Sequence, residues 1–332
     1  MTQVYLHVGM PKCASSTVQG YFHRFDRRNA KSGFLYPLTG RSDRGYFSHA
    51  PIVRMASDEL RGLVHKIKIE AAGAEVVFIS SEQFANAYWD RPITADFIRE
   101  LNLAFGARNV RLLFLFRNHY SFVESAFAQF LKGGLYRVDH RDFFGSTPGD
   151  VESYCNHFRD TNGFHFFDFA QVITEFRTHC EPGNEVEVFS IERDDLETGD
   201  ILEELCRRFG LVPPKRKKLN NPRFPVTALL GLAYGIEKYG FQTVHPKRKG
   251  VANRYSDAVD GFSPVLHVHG DFAKTIASIQ RADSAFFSQE FGMKSSALFL
   301  PRLDPPYSED LQAQARLTDD DRAWLEAHFT GT

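Results

Sequence analysis

The sequence predicts an α/β fold in which helices flank a central parallel β-sheet, followed by a mainly helical C-terminal third. Four short apolar segments predict the strands: residues 4–8, 76–80, 110–116 and 186–191. Their near-continuous apolar character is typical of parallel strands that are buried on both faces. Segments with helical spacing separate them, and this alternation of strands and helices indicates a parallel sheet.

The helical segments have recognisable starts and ends. Residues 18–25 repeat apolar side chains at the i, i+3, i+4, i+7 spacing of an amphipathic helix. A second helix is predicted between Thr94, as a possible N-cap, and Gly106, as a stop. A third begins at Asp200, which opens a capping-box pattern, and ends at Gly210.

After about residue 212 the pattern changes to a basic, proline-rich segment and then to mostly helical sequence. We predict a loop at 245–256 and a final helix that Thr318 caps. We interpret residues 1–332 as one domain, with an α/β core at 1–212 and a mainly helical completion at 213–332.

Charge and composition argue against several classes of protein. Of the 332 residues, 43% are hydrophobic and 24% are charged, as in a globular domain with a substantial core. The formal net charge of -1 gives no reason to expect a nucleic-acid partner. No apolar run approaches the roughly 20 residues that a membrane span needs. The sequence carries no signal for an oligomeric state.

Cysteine usage indicates a reducing compartment. The four cysteines, Cys13, Cys155, Cys180 and Cys206, form no C-x-x-C pair and lie in different predicted elements. The chain leads directly into a strand, without the basic and apolar regions of a signal peptide. We therefore expect a cytoplasmic protein without a disulfide framework and without a metal site.

The stretch HVGMPKCASSTVQGYF, residues 7–22, places a glycine and small hydroxyl residues between the first strand and the first helix. This order brings backbone N–H groups and a helix N-terminus around a phosphate, which predicts a P-loop-like three-layer fold. A nucleotide-kinase loop reads G-x-x-x-x-G-K-[ST]. Here Ala14 and Ser15 replace the second glycine and the lysine, and Lys12 lies three residues too early.

The strand at 110–116 ends in Arg117 and not in an aspartate that could hold Mg²⁺. A site with cationic side chains and no carboxylate to hold a metal ion suits the transfer of a group that carries less negative charge than a phosphoryl group. A sulfuryl group is such a group. Strand tips of open α/β sheets bind ligands. Arg117 at such a tip, with Ser125 in the next helix, suits a terminal phosphate.

On these residues the sequence resembles the sulfotransferases that use 3′-phosphoadenosine-5′-phosphosulfate (PAPS). Their first motif, P-K-[ST]-[GA]-[ST]-[ST], is matched by residues 11–16. The resemblance implies that the 5′-phosphosulfate is bound by Lys12, Cys13, Ala14, Ser15, Ser16 and Thr17. The second motif, an arginine followed eight residues later by a serine, implies that Arg117 and Ser125 hold the 3′-phosphate. A third element, R-K-G, implies further 3′-phosphate contacts from Arg248, Lys249 and Gly250.

Departures from the family pattern indicate which branch of the sulfotransferases the chain resembles most. Cys13 replaces a small hydroxyl residue, Ala14 replaces the common glycine, and Ile191 lies where a tyrosine is usual in the cytosolic enzymes. The Gly-Asp-Trp that often follows R-K-G is missing from residues 250–256. The chain therefore resembles the bacterial and carbohydrate-directed branches more than the steroid and phenol branch.

Sulfuryl transfer to a hydroxyl needs a base, and we expect Glu82, just past the strand at 76–80, to supply it. His49 is the alternative base, and either residue could instead be structural. Lys12 is expected to stabilise the leaving phosphate. The expected acceptor is a small-molecule or glycan hydroxyl, preferably on a carbohydrate or glycolipid. The alternatives are a P-loop-type kinase and a catalytically inactive nucleotide-binding module.

Overall fold

The computed structural model describes residues 1–28, 33–43, 45, 47–88, 93–213, 224–258, 261–291 and 315–331. Its strands are β1 (Gln3–His7), β2 (Phe34–Leu35), β3 (Val76–Ser80), β4 (Val110–Phe116) and β5 (Glu185–Ser190). Its α-helices are α1 (Ser15–Arg28), α2 (Leu60–Glu70), α3 (Gln83–Tyr88), α4 (Ile93–Phe105), α5 (His119–Gly133), α6 (His140–Ser146), α7 (Val151–Asn162), α8 (Phe169–Arg177), α9 (Ile201–Arg208), α10 (Val226–Tyr239), α11 (Phe241–Val244), α12 (Arg248–Arg254), α13 (Gly270–Phe291) and α14 (Asp319–Thr330).

The five strands form one sheet in the order β2-β3-β1-β4-β5, and every neighbouring pair is parallel. The α/β prediction and the four predicted strands are confirmed. The sequence pattern did not show β2, because a strand of two residues is too short to display a period.

Apolar side chains cover both faces of the sheet, as the continuous apolar strands predict. On one face Phe116 of β4 stacks on Phe169 of α8, with ring centroids 4.3 Å apart. On the other face Phe78 of β3 packs against Phe22 of α1, with centroids 5.0 Å apart. All four side chains are fully buried. Each such burial contributes on the order of 1.5–3 kcal/mol.

Side-chain caps fix where several helices begin. The carboxylate of Asp200 accepts hydrogen bonds from the second and third residues of α9, as the sequence predicts. Thr318 caps α14, as predicted, and forms a capping box with Asp321. Thr94 does not cap α4: it is buried inside that helix, and its hydroxyl donates to the Phe84 carbonyl.

Contacts among the described residues divide the chain into two compact units. The sheet unit comprises Met1–Arg117, Phe169–Asn220 and Ser284–Leu300. The helical unit comprises Asn118–Asp168, Asn221–Asp283 and Pro301–Thr332. The segment Asn118–Asp168 belongs to the helical unit, although it lies within residues 1–212.

The segment predicted as a loop at 245–256 is helical over most of its length. A 3₁₀ turn at His245–Lys247 leads into α12. The side chain of Lys247 donates to the carbonyls of His328 and Phe329 at the end of α14. These bonds cap the last carbonyls of α14 and hold the start of α12 against it. Across the described ranges, no helix is both long enough and apolar enough to cross a membrane.

Candidate functional site

The strand order brings three connections together at the carboxyl edge of the sheet. β1 lies between β3 and β4. The chain passes from β1 to β2 and β3 on one side of β1 and then crosses to β4 on the other side. Open α/β sheets bind ligands at such a switch point. The residues that follow these strands are the β1–α1 loop (residues 8–14), Glu82 and Arg117.

The β1–α1 loop has an unusual backbone. Gly9, Lys12 and Ala14 have φ angles of 67°, 69° and 60°. For the two residues with a Cβ atom this left-handed conformation costs about 1–2 kcal/mol each. The loop is held from within by a hydrogen bond from Cys13 N–H to the Met10 carbonyl, at 3.2 Å. Strain of this kind, stabilised by the surrounding structure, is common at ligand-binding loops.

The loop lies directly against the residue that follows β3. A Cβ atom added to Gly9 would be 2.9 Å from the Cα of Glu82. Ser81 N–H donates to the His7 carbonyl at 3.2 Å, which holds the end of β3 beside the end of β1. Glycine at position 9 therefore allows the close approach that fixes Glu82 beside the loop.

The start of α1 provides donors at the same place. The N–H groups of Thr17 and Val18 both donate to the Ala14 carbonyl, at 2.9 and 3.1 Å. Ser15 and Ser16 open the helix, and the first N–H groups of a helix have no carbonyl one turn earlier to bind. The N–H groups of the first helical residues, Ser15 and Ser16, and the positive end of the helix dipole therefore favour an anion.

Glu82 and Lys12 influence each other's ionisation. Burial raises the pKa of the Glu82 carboxyl, while the Lys12 ammonium and the Ser15 hydroxyl lower it. Burial lowers the pKa of Lys12, and the Glu82 charge raises it. The buried Ser15 hydroxyl makes no hydrogen bond of standard geometry within the described residues. A partly buried carboxyl, an ammonium and a hydroxyl thus lie together at the start of α1.

Arg117 contacts the loop from the tip of β4. Its Nη1 lies 3.5 Å from the Lys12 carbonyl, and its Nε lies 3.9 Å from Oε1 of Glu192. Burial raises the pKa of the Cys13 thiol; Arg117 opposes the rise, Glu192 and Glu82 add to it, and Lys12 opposes it. The charges of these four side chains therefore all act on the buried thiol of Cys13.

His49 does not have the surroundings of a base. It is fully buried, its Nδ1 accepts from Ser80 N–H at 3.2 Å, and its Nε2 donates to the Pro37 carbonyl at 3.1 Å. Burial lowers its pKa to about 3. Because both ring nitrogens are engaged by the backbone, the structure contradicts the expectation that His49 takes a proton from an acceptor. We assign it a structural role.

A buried polar layer below this site was not predicted. The Ser80 hydroxyl lies 2.7 Å from Nδ1 of His7 and accepts from the amide of Gln19 at 3.3 Å. Burial lowers the pKa of His7 to about 3, so its ring is neutral. Gln19 lies one turn after Ser15, and the layer therefore ties the start of α1 to β1 and β3. Residues 4–8 have the pattern of an apolar strand, and no sequence motif includes His7 as a site residue.

The other predicted phosphate-binding residues belong to the helical unit. Ser125 is half-buried in the second turn of α5. Arg248 begins α12 and donates from Nη1 to the His245 carbonyl at 2.5 Å, while Lys249 is exposed. A Cβ atom at Gly250 would lie 2.7 Å from Cε1 of His328, so a larger residue there would displace the His328 ring of α14. The structure thus gathers Lys12 to Thr17, Glu82 and Arg117 within the sheet unit.

Within the described part of the chain, no three His, Cys, Asp or Glu side chains come together as metal ligands. All four cysteines are free thiols.

Comparison of the chain with family models, curated proteins and solved structures finds no match. The chemistry of the site therefore has to be argued from its own residues.

Proposed function

We propose that the chain is a sulfotransferase that moves a sulfuryl group from PAPS to an acceptor hydroxyl. One observation carries the proposal: the loop of the sulfotransferase-like motif lies against Glu82, with Lys12 and the start of α1 beside it. An anion-binding loop, a cation and a carboxyl are the groups that this transfer needs. The P-loop-like, three-layer assignment of the fold belongs to the same proposal.

The residues from Lys12 to Thr17 would bind the 5′ end of PAPS. Backbone N–H groups at the start of α1 would donate to its non-bridging oxygens, with the hydroxyls of Ser16 and Thr17 beside them. Lys12 would stabilise the negative charge that develops on the leaving phosphate. Cys13 is buried, and its thiol keeps its proton because burial raises its pKa. Cys13 and Ala14 therefore contribute backbone, not side-chain chemistry.

Glu82 would take the proton of the acceptor hydroxyl. The acceptor oxygen then forms a bond to sulfur while the bond from sulfur to the 5′-phosphate oxygen breaks, and adenosine 3′,5′-bisphosphate leaves. Burial raises the pKa of Glu82, which makes its carboxylate a stronger proton acceptor, and the Lys12 charge opposes that rise.

The sequence resemblance assigns Arg117, Ser125, Arg248 and Lys249 to the 3′-phosphate. The structure adds a role within the sheet unit for Arg117, which contacts the Lys12 carbonyl. The resemblance also favours a carbohydrate or glycolipid hydroxyl as acceptor. A P-loop-type kinase is the alternative enzyme and would require Mg²⁺. An inactive nucleotide-binding module is the third candidate. Its only function would be to bind the nucleotide, and this binding would not depend on Glu82.

The proposal is tested by transfer from ³⁵S-labelled PAPS to a panel of hydroxyl acceptors led by sugars, with EDTA or with Mg²⁺. We expect transfer that EDTA does not affect. Lys12→Ala should lower it by about 10²-fold or more, the usual effect of removing a transition-state donor. Lys66→Ala, which removes an exposed lysine from α2, is the control. Full activity in Lys12→Ala would contradict the proposal.

A further inference from the structure

Glu192 lies at the same edge of the sheet as the β1–α1 loop, although no sequence motif includes it. It follows β5 by two residues, and Ile191 N–H donates to the Phe116 carbonyl at 2.7 Å. Glu192 N–H donates to the Ser190 hydroxyl at 3.1 Å. These bonds hold Glu192 beside the residue that ends β4, which brings its carboxylate to Arg117.

The pair formed by Arg117 and Glu192 is close but not tight. Their nearest nitrogen and oxygen atoms are 3.9 Å apart, beyond the 2.7–3.2 Å of an N–H···O hydrogen bond. The two side chains keep 25% and 34% of their surface exposed, so solvent and ions reach the pair. Such a pair is held by electrostatic attraction at a separation longer than a hydrogen bond.

The formal charges around the loop balance. Lys12 and Arg117 are cationic, Glu82 and Glu192 are anionic, and all four act on the buried thiol of Cys13. A multiply charged anion can compete with a single carboxylate for Arg117.

We propose that Glu192 is an internal counter-anion of Arg117 that lowers the affinity of the β1–α1 loop for anions. Its carboxylate neutralises Arg117 when the site is empty, and the entering anion competes with it. Removal of the Glu192 charge should therefore strengthen the binding of an anion at the loop. This inference rests on the proposed function, because it requires an anion to bind at the loop.

The test is calorimetric titration of the full chain with adenosine 3′,5′-bisphosphate at low ionic strength. Glu192→Gln should bind adenosine 3′,5′-bisphosphate about two- to fivefold more tightly, the fold-change that matches an exposed ion pair. The gain should be lost in high salt. Glu192→Asp, which keeps the charge, should stay near the wild-type affinity.

Glu181→Gln is the matched control. Glu181 is exposed and precedes β5, so the same charge is removed at the opposite end of the same strand. Its affinity for the bisphosphate should equal that of the wild type. Equal or weaker binding by Glu192→Gln, with a wild type that does bind, would overturn this inference and leave the proposed function standing. No binding by either protein would overturn both.

Discussion

Replacing Gly9 with alanine tests whether the β1–α1 loop lies against Glu82 as described. The new methyl group has two separate costs. The φ of 67° is unfavourable for any residue with a Cβ atom, by about 1–2 kcal/mol. The Cβ atom would also lie 2.9 Å from the Cα of Glu82, closer than van der Waals contact allows. Relieving that overlap moves the loop or the end of β3, and overpacking of this kind costs about 1–3 kcal/mol.

The expected loss of unfolding free energy for Gly9→Ala is therefore about 2–5 kcal/mol, measured by urea unfolding at 25 °C. Gly73→Ala is the matched control. Gly73 lies in the same unit with a φ of 83°, and its added Cβ would have nothing within 4 Å. The control should lose only the part of the unfolding free energy that comes from the unfavourable backbone conformation. It should bind adenosine 3′,5′-bisphosphate like the wild type. Equal destabilisation of the two variants would refute the close approach of loop and Glu82.

Two further predictions concern ionisation. Burial lowers the pKa of His7 and His49 from 6.5 to about 3, so between these values the unfolded chain binds more protons than the folded one. Unfolding free energy should therefore fall as the pH drops below about 6.5, by up to about 1.4 kcal/mol per pH unit for each histidine. His49→Gln should give a shallower slope between pH 4 and 6 in urea titrations; an unchanged slope would contradict the buried neutral ring. Glu82→Gln should lower kcat by about 10²–10⁴-fold while the bisphosphate binds at least as tightly. Unchanged turnover would remove Glu82 as the base.

The sheet could be predicted from the sequence because its buried strands have a recognisable apolar pattern. Residues 110–116 are apolar at nearly every position, which a strand covered on both faces requires. The position of Glu82 followed from the same argument, since the first charged side chain after a buried strand lies at the carboxyl edge. Applied to the strand that ends at Ser190, this rule would also have found Glu192.

Other features of the site depend on partners that are distant in the sequence. Nothing local shows that the ring of His49 is bound by the backbone of Ser80 and Pro37. The left-handed backbone of Lys12 was equally hidden, because such a conformation normally selects glycine. The helical state of Arg248–Arg254 depends on packing against a helix about 80 residues later in the chain. Sequence patterns report local preference and burial, not these contacts.

The measurement that tests the central claim most directly is thermal unfolding with adenosine 3′,5′-bisphosphate, compared with AMP, ADP and ATP–Mg²⁺. A ligand at about 100 times its dissociation constant stabilises the folded state by about 2.7 kcal/mol, which raises the unfolding midpoint by several degrees. The proposal predicts that the 3′,5′-bisphosphate alone gives this shift and that it does so in EDTA. Stabilisation by ATP–Mg²⁺ without a response to the bisphosphate would contradict the proposal and indicate a phosphoryl-transfer enzyme.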